Sequence, residues 1–171
     1  MKLRKFNKTL AAGIRVNWNQ NAYRDYQGGT YLYKDVAEMI IKFQMLLDKH
    51  AIGIGSRIAI LGRNARNRVV KYLATVLNGQ VVVPILPDFL MKIFRIFWNN
   101  SESVMLFVSK EYFPGIDARK LPNLKAVFSL QDFSLIYCTL DGLNEDVTLI
   151  QETFDSRFPN TLLLYENLPS R

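Results

Sequence analysis

The chain has 171 residues, of which 49% are apolar and 22% charged, a composition that supports one globular core and excludes a disordered chain. No apolar run approaches the roughly 18 residues of a membrane helix, and the basic start lacks the apolar stretch of a secretory signal, so we expect a cytoplasmic protein. The net charge of +7 divides into +12 for residues 1–125 and −5 for residues 126–171, which fits either an anionic partner for the basic part or two faces of a larger protein that dock on each other.

The first predicted elements follow an N-terminal extension of residues 1–27. Residues Gly28 to Tyr33 predict a turn and a short strand. From Asp35 onward the apolar spacing predicts an amphipathic helix, marked by Val36, Met39, Ile40, Phe43, Leu46 and Leu47. We expect this helix to end in AIGIG (51–55), with Gly53 in the left-handed conformation that closes many helices.

A strand, a helix and a second strand come next. Arg57 to Leu61 predicts the strand, and the turn 62–64 leads into a helix that ends at Gly79. The residues expected on the buried side of this helix are Val69, Leu73 and Val76. The apolar run Val81 to Leu86 is typical of a strand covered on both faces, whereas Pro84 within it favours a sheet edge or a strand end.

A third helix is predicted from Phe89 to Trp98, with Asp88 as its N-cap. Its apolar residues leave little polar face, so the helix must be buried or covered by another surface; they are Ile93, Phe94, Ile96, Phe97 and Trp98. Two more strands are predicted, at Val104 to Val108 and at Lys125 to Leu130.

The order β-α-β-α-β predicts an α/β fold, with a parallel sheet, right-handed crossovers and flanking helices in residues 28–130. Residues 131–171 predict one further helix and a terminal strand, TLLLY (161–165). That helix is expected to start near Asn144 and to stop before Pro159, with Val147, Ile150 and Phe154 on its apolar side.

Few residues of the chain suit catalysis, and we predict no catalytic or metal-binding residue. One cysteine and one histidine exclude an intramolecular disulfide framework and a His/Cys zinc site. Cys138 lies in an apolar stretch typical of an inert thiol, and His50 lies at a predicted helix end. Glu145 and Asp146 are expected in a first helical turn, where the helix dipole favours acids.

Nucleotide-binding motifs are also missing from the sequence. The turn LGRNARN has the single glycine Gly62 instead of Gly-x-Gly-x-x-Gly, and neither a Walker loop nor a serine nucleophile elbow occurs.

The densest basic cluster starts the second helix and consists of Arg63, Arg66, Arg68 and Lys71. Such a cluster can meet a phosphate or a carboxylate. We expect Arg68 and Lys71 on a solvated helix face, whereas Arg66 falls near the apolar side and needs a partner. One interpretation is therefore a free-standing α/β module that binds a nucleotide or an anionic partner near Arg63 and Arg66. No run of five basic residues and no aromatic RNA-binding pattern occurs, so we expect no nucleic-acid partner.

The stretch HAIGIGSRIAILGRNARNRVVKYLATVLNGQVVVPILPDF (50–89) resembles the N-terminal subdomain of the adenylate-forming ligases. In that superfamily a Gly-x-x-x-Gly-Asp-(Arg/Lys)-Val-Ala strand leads to an Asn-Ser-x-x-Trp helix start and an Ala-Gly-x-Val-x-Val-Pro strand. TYLYKDVAEMI (30–40) and SESVMLFVSKE (101–111) extend the resemblance, which is closest to the fatty acyl-CoA ligases. The chain departs from the pattern at Ser56, Arg68 and Gln80, where Asp, Trp and a small residue are usual.

The resemblance implies an enzyme in which ATP and Mg²⁺ activate a carboxylic acid, here a long-chain fatty acid, as acyl-AMP before transfer to CoA. The superfamily's Ser/Thr-Gly-rich phosphate loop, its acidic adenosine-binding residues and its C-terminal lysine have no counterpart in these 171 residues. We therefore expect an N-terminal piece that binds no cofactor of its own and is inactive alone. Its partner is then the remainder of its own polypeptide, and the isolated chain is expected to self-associate weakly.

Overall fold

The computed structural model describes residues 2–24, 29–62, 66–87, 91–141 and 143. The helices are α1 (Lys2–Val16), α2 (Tyr33–Lys49), α3 (Arg66–Leu77) and α4 (Met91–Ser101). The strands are β1 (Asn21–Arg24), β2 (Thr30–Leu32), β3 (Arg57–Leu61), β4 (Val81–Ile85), β5 (Met105–Val108), β6 (Ala126–Ser129) and β7 (Leu135–Cys138). Among the described residues, no helix is long and apolar enough to span a membrane.

A five-stranded sheet with the order β4-β3-β5-β6-β7 forms the centre of the molecule. The first four of these strands are parallel, and β7 pairs antiparallel with β6. The chain moves from β3 to β4 on one side and then to β5 on the other side of β3, so right-handed crossovers place α3 and α4 on opposite faces. This arrangement confirms the predicted α/β fold with a mostly parallel sheet. The short strand predicted within Gly28 to Tyr33 is β2, whereas the antiparallel strand β7, the helix α1 and the strand β1 were not predicted.

Alternating side chains of the central strands enter two separate cores. On the first face, Ile58, Ile60 and Phe107 pack against α1, α2 and α3. On the second face, Ala59 and Leu106 pack against α4 and the segment 113–121, which contains two short 3₁₀ turns. Every residue of β5 and β6 is buried because both faces are covered, which explains the unbroken apolar runs of these strands.

Strand β4 lies at one edge of the sheet, as Pro84 indicated. The prediction that this strand is covered on both faces was wrong, because Val81 and Pro84 are exposed. The N–H of Val81 donates to the carbonyl of Ser56 at 2.9 Å and so points into the sheet. Since neighbouring residues of a strand point to opposite sides, Pro84 turns its nitrogen outward, where no ladder bond is lost.

Helix α3 buries a different side from the one predicted. Val70, Ala74 and Leu77 enter the first core. Of the predicted residues, Leu73 is partly buried against that core, whereas Val69 is exposed. The buried set is shifted by one position from the predicted set. Both sets are apolar in the sequence, so packing against α2 determines which of them is buried. In α2 itself, Val36, Ile40, Phe43, Leu46 and Leu47 are buried as predicted.

An alanine, instead of a glycine, takes the left-handed conformation that ends α2. His50 is the C-cap, and Ala51 follows in the left-handed region with φ of 51°. The N–H of Ile52 donates to Leu47 O at 2.9 Å and that of Ala51 donates to Asp48 O at 3.3 Å, which is the Schellman pattern. The prediction for Gly53 was therefore wrong: among the glycines that the structure describes, Gly55 and Gly79 have positive φ, and Gly79 follows α3 as predicted.

Several predicted features lie outside the described residues. These are the cap Asp88, the carboxylates Glu145 and Asp146, the helix expected from Asn144, and the strand 161–165.

Replacing Ala51 with glycine is expected to raise the free energy of unfolding by about 0.5–1 kcal/mol. Glycine takes positive φ without the Cβ clash, and this gain outweighs its greater freedom in the unfolded chain. Urea unfolding measures the difference. Ala12→Gly, at an exposed position inside α1, is the matched control and should lose about 1 kcal/mol. A loss of stability in both variants would contradict the assignment of Ala51 as the left-handed residue.

Candidate functional site

The carboxyl ends of β3 and β5 mark the place where the strand order reverses. In open α/β sheets, ligands bind outside the carboxyl ends of the strands at such a switch point. Gly62 follows β3 there and Ser109 follows β5. The turn after the neighbouring strand β6, residues 130–134, lies at the same edge. We treat this edge, called here the carboxyl edge, as the candidate site.

Gly62 allows the three strand ends to approach closely. A Cβ atom added to it would lie 2.5 Å from both Ser109 Oγ and Leu130 Cδ2. Backbone bonds continue past the strands, from Ser109 N to Leu61 O at 3.0 Å and from Leu130 N to Val108 O at 2.9 Å. The lone glycine of the LGRNARN turn therefore serves close packing of the strand ends.

A hydrogen-bonded network fixes the turn after β6. The buried Ser129 Oγ accepts the backbone N–H groups of Gln131 at 3.2 Å and Asp132 at 3.4 Å. Asp132 pairs with Lys110 Nζ at 2.7 Å and accepts both the N–H (3.1 Å) and the hydroxyl (2.7 Å) of Ser134. The ammonium of Lys110, followed by Ser129 and Ser134, holds the pKa of Asp132 far below its usual range. Asp132 is thus a permanent anion here and is unsuited to proton transfer at neutral pH.

Phe133 occupies the same turn in a strained conformation. Its φ is 63°, in the left-handed region that bulky residues rarely adopt. Its ring stacks on Phe128 at 5.0 Å between centroids and lies 5.7 Å from Phe107 and 5.8 Å from Phe43. Contacts with aromatic rings from β6, β5 and α2 therefore offset the backbone strain.

Lys71 was predicted to lie on a solvated helix face, and this prediction was wrong. The residue is buried, with 3% of its surface exposed. Its Nζ lies 5.5 Å from the centroid of the Phe133 ring and 4.0 Å from Met39 Sδ. Burial lowers the pKa of Lys71 to about 8, and the nearby Asp132 opposes this shift. The sequence did not show this, because it follows from the packing of α3 on α2, which brings residue 71 inward beside Val70.

Arg68 was predicted to lie on a solvated helix face, but its guanidinium is hydrogen-bonded to the backbone. Its Nη1 donates to the carbonyl of Gly62 at 2.8 Å, and its Nη2 approaches Ile85 O at 3.5 Å, so the guanidinium joins the carboxyl ends of β3 and β4. Arg63 lies outside the described residues, as does the side chain of Arg66. The structure therefore shows Arg68 and Lys71 near the carboxyl edge, with neither of them on an open cationic surface.

The remaining candidates lie in the segment 113–119 and in β7. A groove of about 590 Å³ lies on the second face, between residues 113–119 and Tyr137. Its Asp117 is paired with Arg119 (3.4 Å) and Lys120 (3.2 Å). Cys138 is a half-buried free thiol in β7, and the described part of the chain contains no cluster of three His, Cys, Asp or Glu residues suited to a metal ion.

Comparison with known proteins shows what this architecture resembles. No family model and no curated protein matches the sequence. Among solved structures, the apo form of MatB from Rhodopseudomonas palustris matches with a TM-score of 0.62 and 18% identity, over 83% of this chain and 28% of that one. The nonribosomal peptide synthetase FmoA3, bound to alpha-methyl-L-serine-AMP, matches with a TM-score of 0.64 and 13% identity, over 74% of this chain and 14% of that one.

A candidate long-chain-fatty-acid CoA ligase from Rhodopseudomonas palustris matches with a TM-score of 0.61 and 17% identity, over 72% of this chain and 33% of that one. The chain has the fold of part of these enzymes. Its sheet and flanking helices match the N-terminal subdomain of adenylate-forming enzymes, and it spans a third or less of the length of each of these three. At these identities the likeness is one of fold.

Replacing Gly62 with alanine is expected to cost about 1–3 kcal/mol of stability, because the added methyl group overlaps Ser109 and Leu130 in a packed environment. Thermal and urea unfolding measure the loss. Gly13→Ala is the matched control, since a Cβ there meets no atom within 4 Å and a helix interior favours alanine. Equal effects of the two changes would show that the strand ends are not closely packed at Gly62.

Replacing Lys71 with methionine is expected to stabilise the fold by roughly 2–3 kcal/mol at pH 7. The folded pKa of about 8 lies below the unfolded value of 10.5, so the penalty for a buried ammonium is fully present below pH 8 and fades as the pH rises toward 10.5. The parent chain should therefore gain stability between pH 8 and pH 10, and the methionine variant should lack this gain.

Lys120→Met serves as the control for Lys71, because its side chain is 69% exposed in a surface ion pair and its loss should change stability by less than about 1 kcal/mol. Unfolding by urea at pH 7, 8.5 and 10 makes the comparison. If Lys71→Met destabilised the protein at pH 7, the ammonium would be well accommodated and its pKa would not be lowered.

Proposed function

We propose that this chain is the N-terminal scaffold of an ATP-dependent acyl-activating ligase. The observation that carries the proposal is the strand order β4-β3-β5-β6-β7, in a fold shared with part of an enzyme bound to an aminoacyl-AMP and part of a candidate long-chain-fatty-acid CoA ligase. The sequence motifs at residues 50–89 and 101–111 support the same assignment. The proposed reaction activates a carboxylic acid as acyl-AMP and transfers the acyl group to CoA, with a long-chain fatty acid as substrate.

In this proposal, ATP and Mg²⁺ bind outside the described residues. At the carboxyl edge, the cations Arg68 and Lys110 are held by Gly62 O and by Asp132, and Lys71 is buried. The described residues also offer no cluster of three carboxylates or other metal ligands. We therefore assign nucleotide and metal binding to other parts of the ligase, and no step of the reaction to the residues described here.

The proposed contribution of this chain is a rigid carboxyl edge. The network of Ser129, Asp132 and Lys110 and the stacked ring of Phe133 fix the turn after β6. Gly62 and Ser109 hold the ends of β3 and β5 together. An edge fixed in this way can position segments that carry the reacting groups, because sites supported by packed elements keep their geometry. The partner of this edge is, in this proposal, the remainder of the same polypeptide in the cytoplasm.

The first test is the reading frame beyond Arg171. We expect it to continue into a Ser/Thr-Gly-rich segment ending in Pro-Lys-Gly. The complete product should then exchange pyrophosphate into ATP in the presence of a long-chain fatty acid, and the 171-residue chain alone should not. A stop codon directly after Arg171 would overturn the ligase assignment for this chain.

Calorimetric titration of the 171-residue chain with ATP separates the scaffold from a free-standing binding module. We expect no saturable binding, because the described cations of the carboxyl edge are engaged or buried. Saturable binding in the micromolar range would favour the module. In that case Arg66→Gln should weaken the binding, and Arg119→Gln, an exposed change on the other face, should leave it unchanged.

A further inference from the structure

The buried ammonium of Lys71 faces a sulfur atom instead of an oxygen. Its Nζ lies 4.0 Å from Met39 Sδ and 5.5 Å from the centroid of the Phe133 ring. Among the residues that the structure describes, no oxygen accepts a hydrogen bond from it. A thioether sulfur is a weak acceptor, and a buried charge without a strong partner is costly. The ammonium therefore lacks a strong acceptor in the described part of the fold.

The nearby carboxylate of Asp132 does not fill this role. It is bonded to the ammonium of Lys110 at 2.7 Å and to the hydroxyl of Ser134 at 2.7 Å. Its charge favours the ammonium of Lys71 only in part, since burial still lowers the pKa of that lysine to about 8. The lowered pKa agrees with an ammonium that has lost its hydration without gaining a strong acceptor.

The packing of α2 on α3 keeps Met39 and Lys71 together. Directly after Met39, the carbonyl of Ile40 accepts a hydrogen bond from Asn78 Nδ2 of α3 at 3.2 Å. Lys71 is 3% exposed, so its ammonium cannot be hydrated as that of a surface lysine is. The sulfur and the ammonium are thus held side by side in the contact between two helices.

Met39 is less deeply buried than the lysine beside it. It is half-buried at the border of the first core, as is Met45, whereas Met105 is completely buried. Because exposure governs the oxidation of a side chain, hydrogen peroxide is expected to reach Met39 and Met45 before Met105.

Oxidation turns the sulfur of Met39 into a strong acceptor. The thioether sulfur forms a bond to one oxygen of hydrogen peroxide, the O–O bond breaks, and the other oxygen leaves as water with both hydrogens. The sulfur loses two electrons and the peroxide gains them. A charge-assisted N–H···O bond spans about 2.7–2.9 Å. The separation of 4.0 Å between Met39 Sδ and Lys71 Nζ therefore accommodates an oxygen that is bonded to the sulfur and faces the ammonium.

We propose that Met39 is a peroxide-sensitive modification site and that Lys71 holds its sulfoxide. The ammonium donates a hydrogen bond to the sulfoxide oxygen, and this bond stabilises the contact between α2 and α3. Methionine oxidation usually destabilises a core, because it makes an apolar side chain polar. At Met39 the effect is reversed, because the added oxygen supplies a strong acceptor to a buried ammonium.

The test uses two variants of the 171-residue chain that differ in which half-buried methionine remains. Met45→Leu with Met91→Leu keeps Met39, whereas Met39→Leu with Met91→Leu keeps Met45. Both are treated with hydrogen peroxide until peptide mass spectrometry shows oxidation of the remaining residue, with Met105 still reduced. The thermal unfolding midpoint is measured before and after this treatment.

Oxidation of Met39 is expected to raise the midpoint by roughly 3–6 °C, because the new hydrogen bond involves a charged group. Oxidation of Met45 is expected to lower the midpoint, because this side chain packs with the apolar side chains of Ile41 and Trp18. Methionine sulfoxide reductases should return both midpoints to their starting values.

Lys71→Leu separates the proposed bond from a general effect of oxidation. Leucine is chosen because it adds no further methionine. When Lys71→Leu is combined with Met45→Leu and Met91→Leu, oxidation of Met39 should lower the midpoint, because the sulfoxide then has no ammonium beside it. A change of sign on loss of this one ammonium would identify Lys71 as the partner of the sulfoxide.

Two results would overturn the proposal. The first is that Met39 stays reduced under a peroxide treatment that oxidises Met45. The second is that oxidation of Met39 lowers the midpoint of the chain that keeps Lys71, or shifts it equally in that chain and in Lys71→Leu. The proposal does not depend on the ligase assignment, so its failure would leave that assignment unaffected.

Discussion

Phe107 lies at the centre of an aromatic cluster on which much of the molecule depends. Its ring lies 5.4 Å from Phe43 of α2, 5.7 Å from Phe128 of β6 and 5.7 Å from Phe133 in the turn after β6. The cluster therefore joins a helix, two strands and the carboxyl edge in one packed unit. It also holds Phe133 in its left-handed conformation, and the ring of Phe133 in turn lies under the amine of Lys71. The packing of α3 on α2 brings the amine of Lys71 inward, and the aromatic cluster forms part of its surroundings.

The sequence predicts best those elements whose buried residues do not depend on which other element packs against them. Residues 57–61 form a strand with the predicted bounds. A short apolar run between turns that contain polar residues or glycine is typical of a buried strand. The predicted buried face of α3 was wrong by one position, because apolar residues occupy two adjacent faces of the helix and packing against α2 determines which face is buried. Ala51 replaces Gly53 as the left-handed residue because the burial of Leu47 and Ile52 sets the place of the turn.

The site was harder to predict than the fold, because its geometry arises from residues that are distant in sequence. Gly62 was visible as a lone glycine, but its contact with Leu130 depends on the pairing of β5 with β6. A lysine beside two valines and four residues before Thr75 gives only a weak signal of burial, since lysine is rarely buried without a partner. The network of Ser129, Gln131 and Asp132 left no sequence signature beyond a polar turn.

The nitrogen of Pro84 faces outward and carries no hydrogen, which makes the two edges of the sheet unequal as places to add a strand. A strand added beside β4 would find no donor at position 84, so extension past that edge is disfavoured. Strand β7, at the opposite end of the sheet order, contains no proline. Of the two edges, that of β7 is therefore the one at which no proline limits pairing with a further strand.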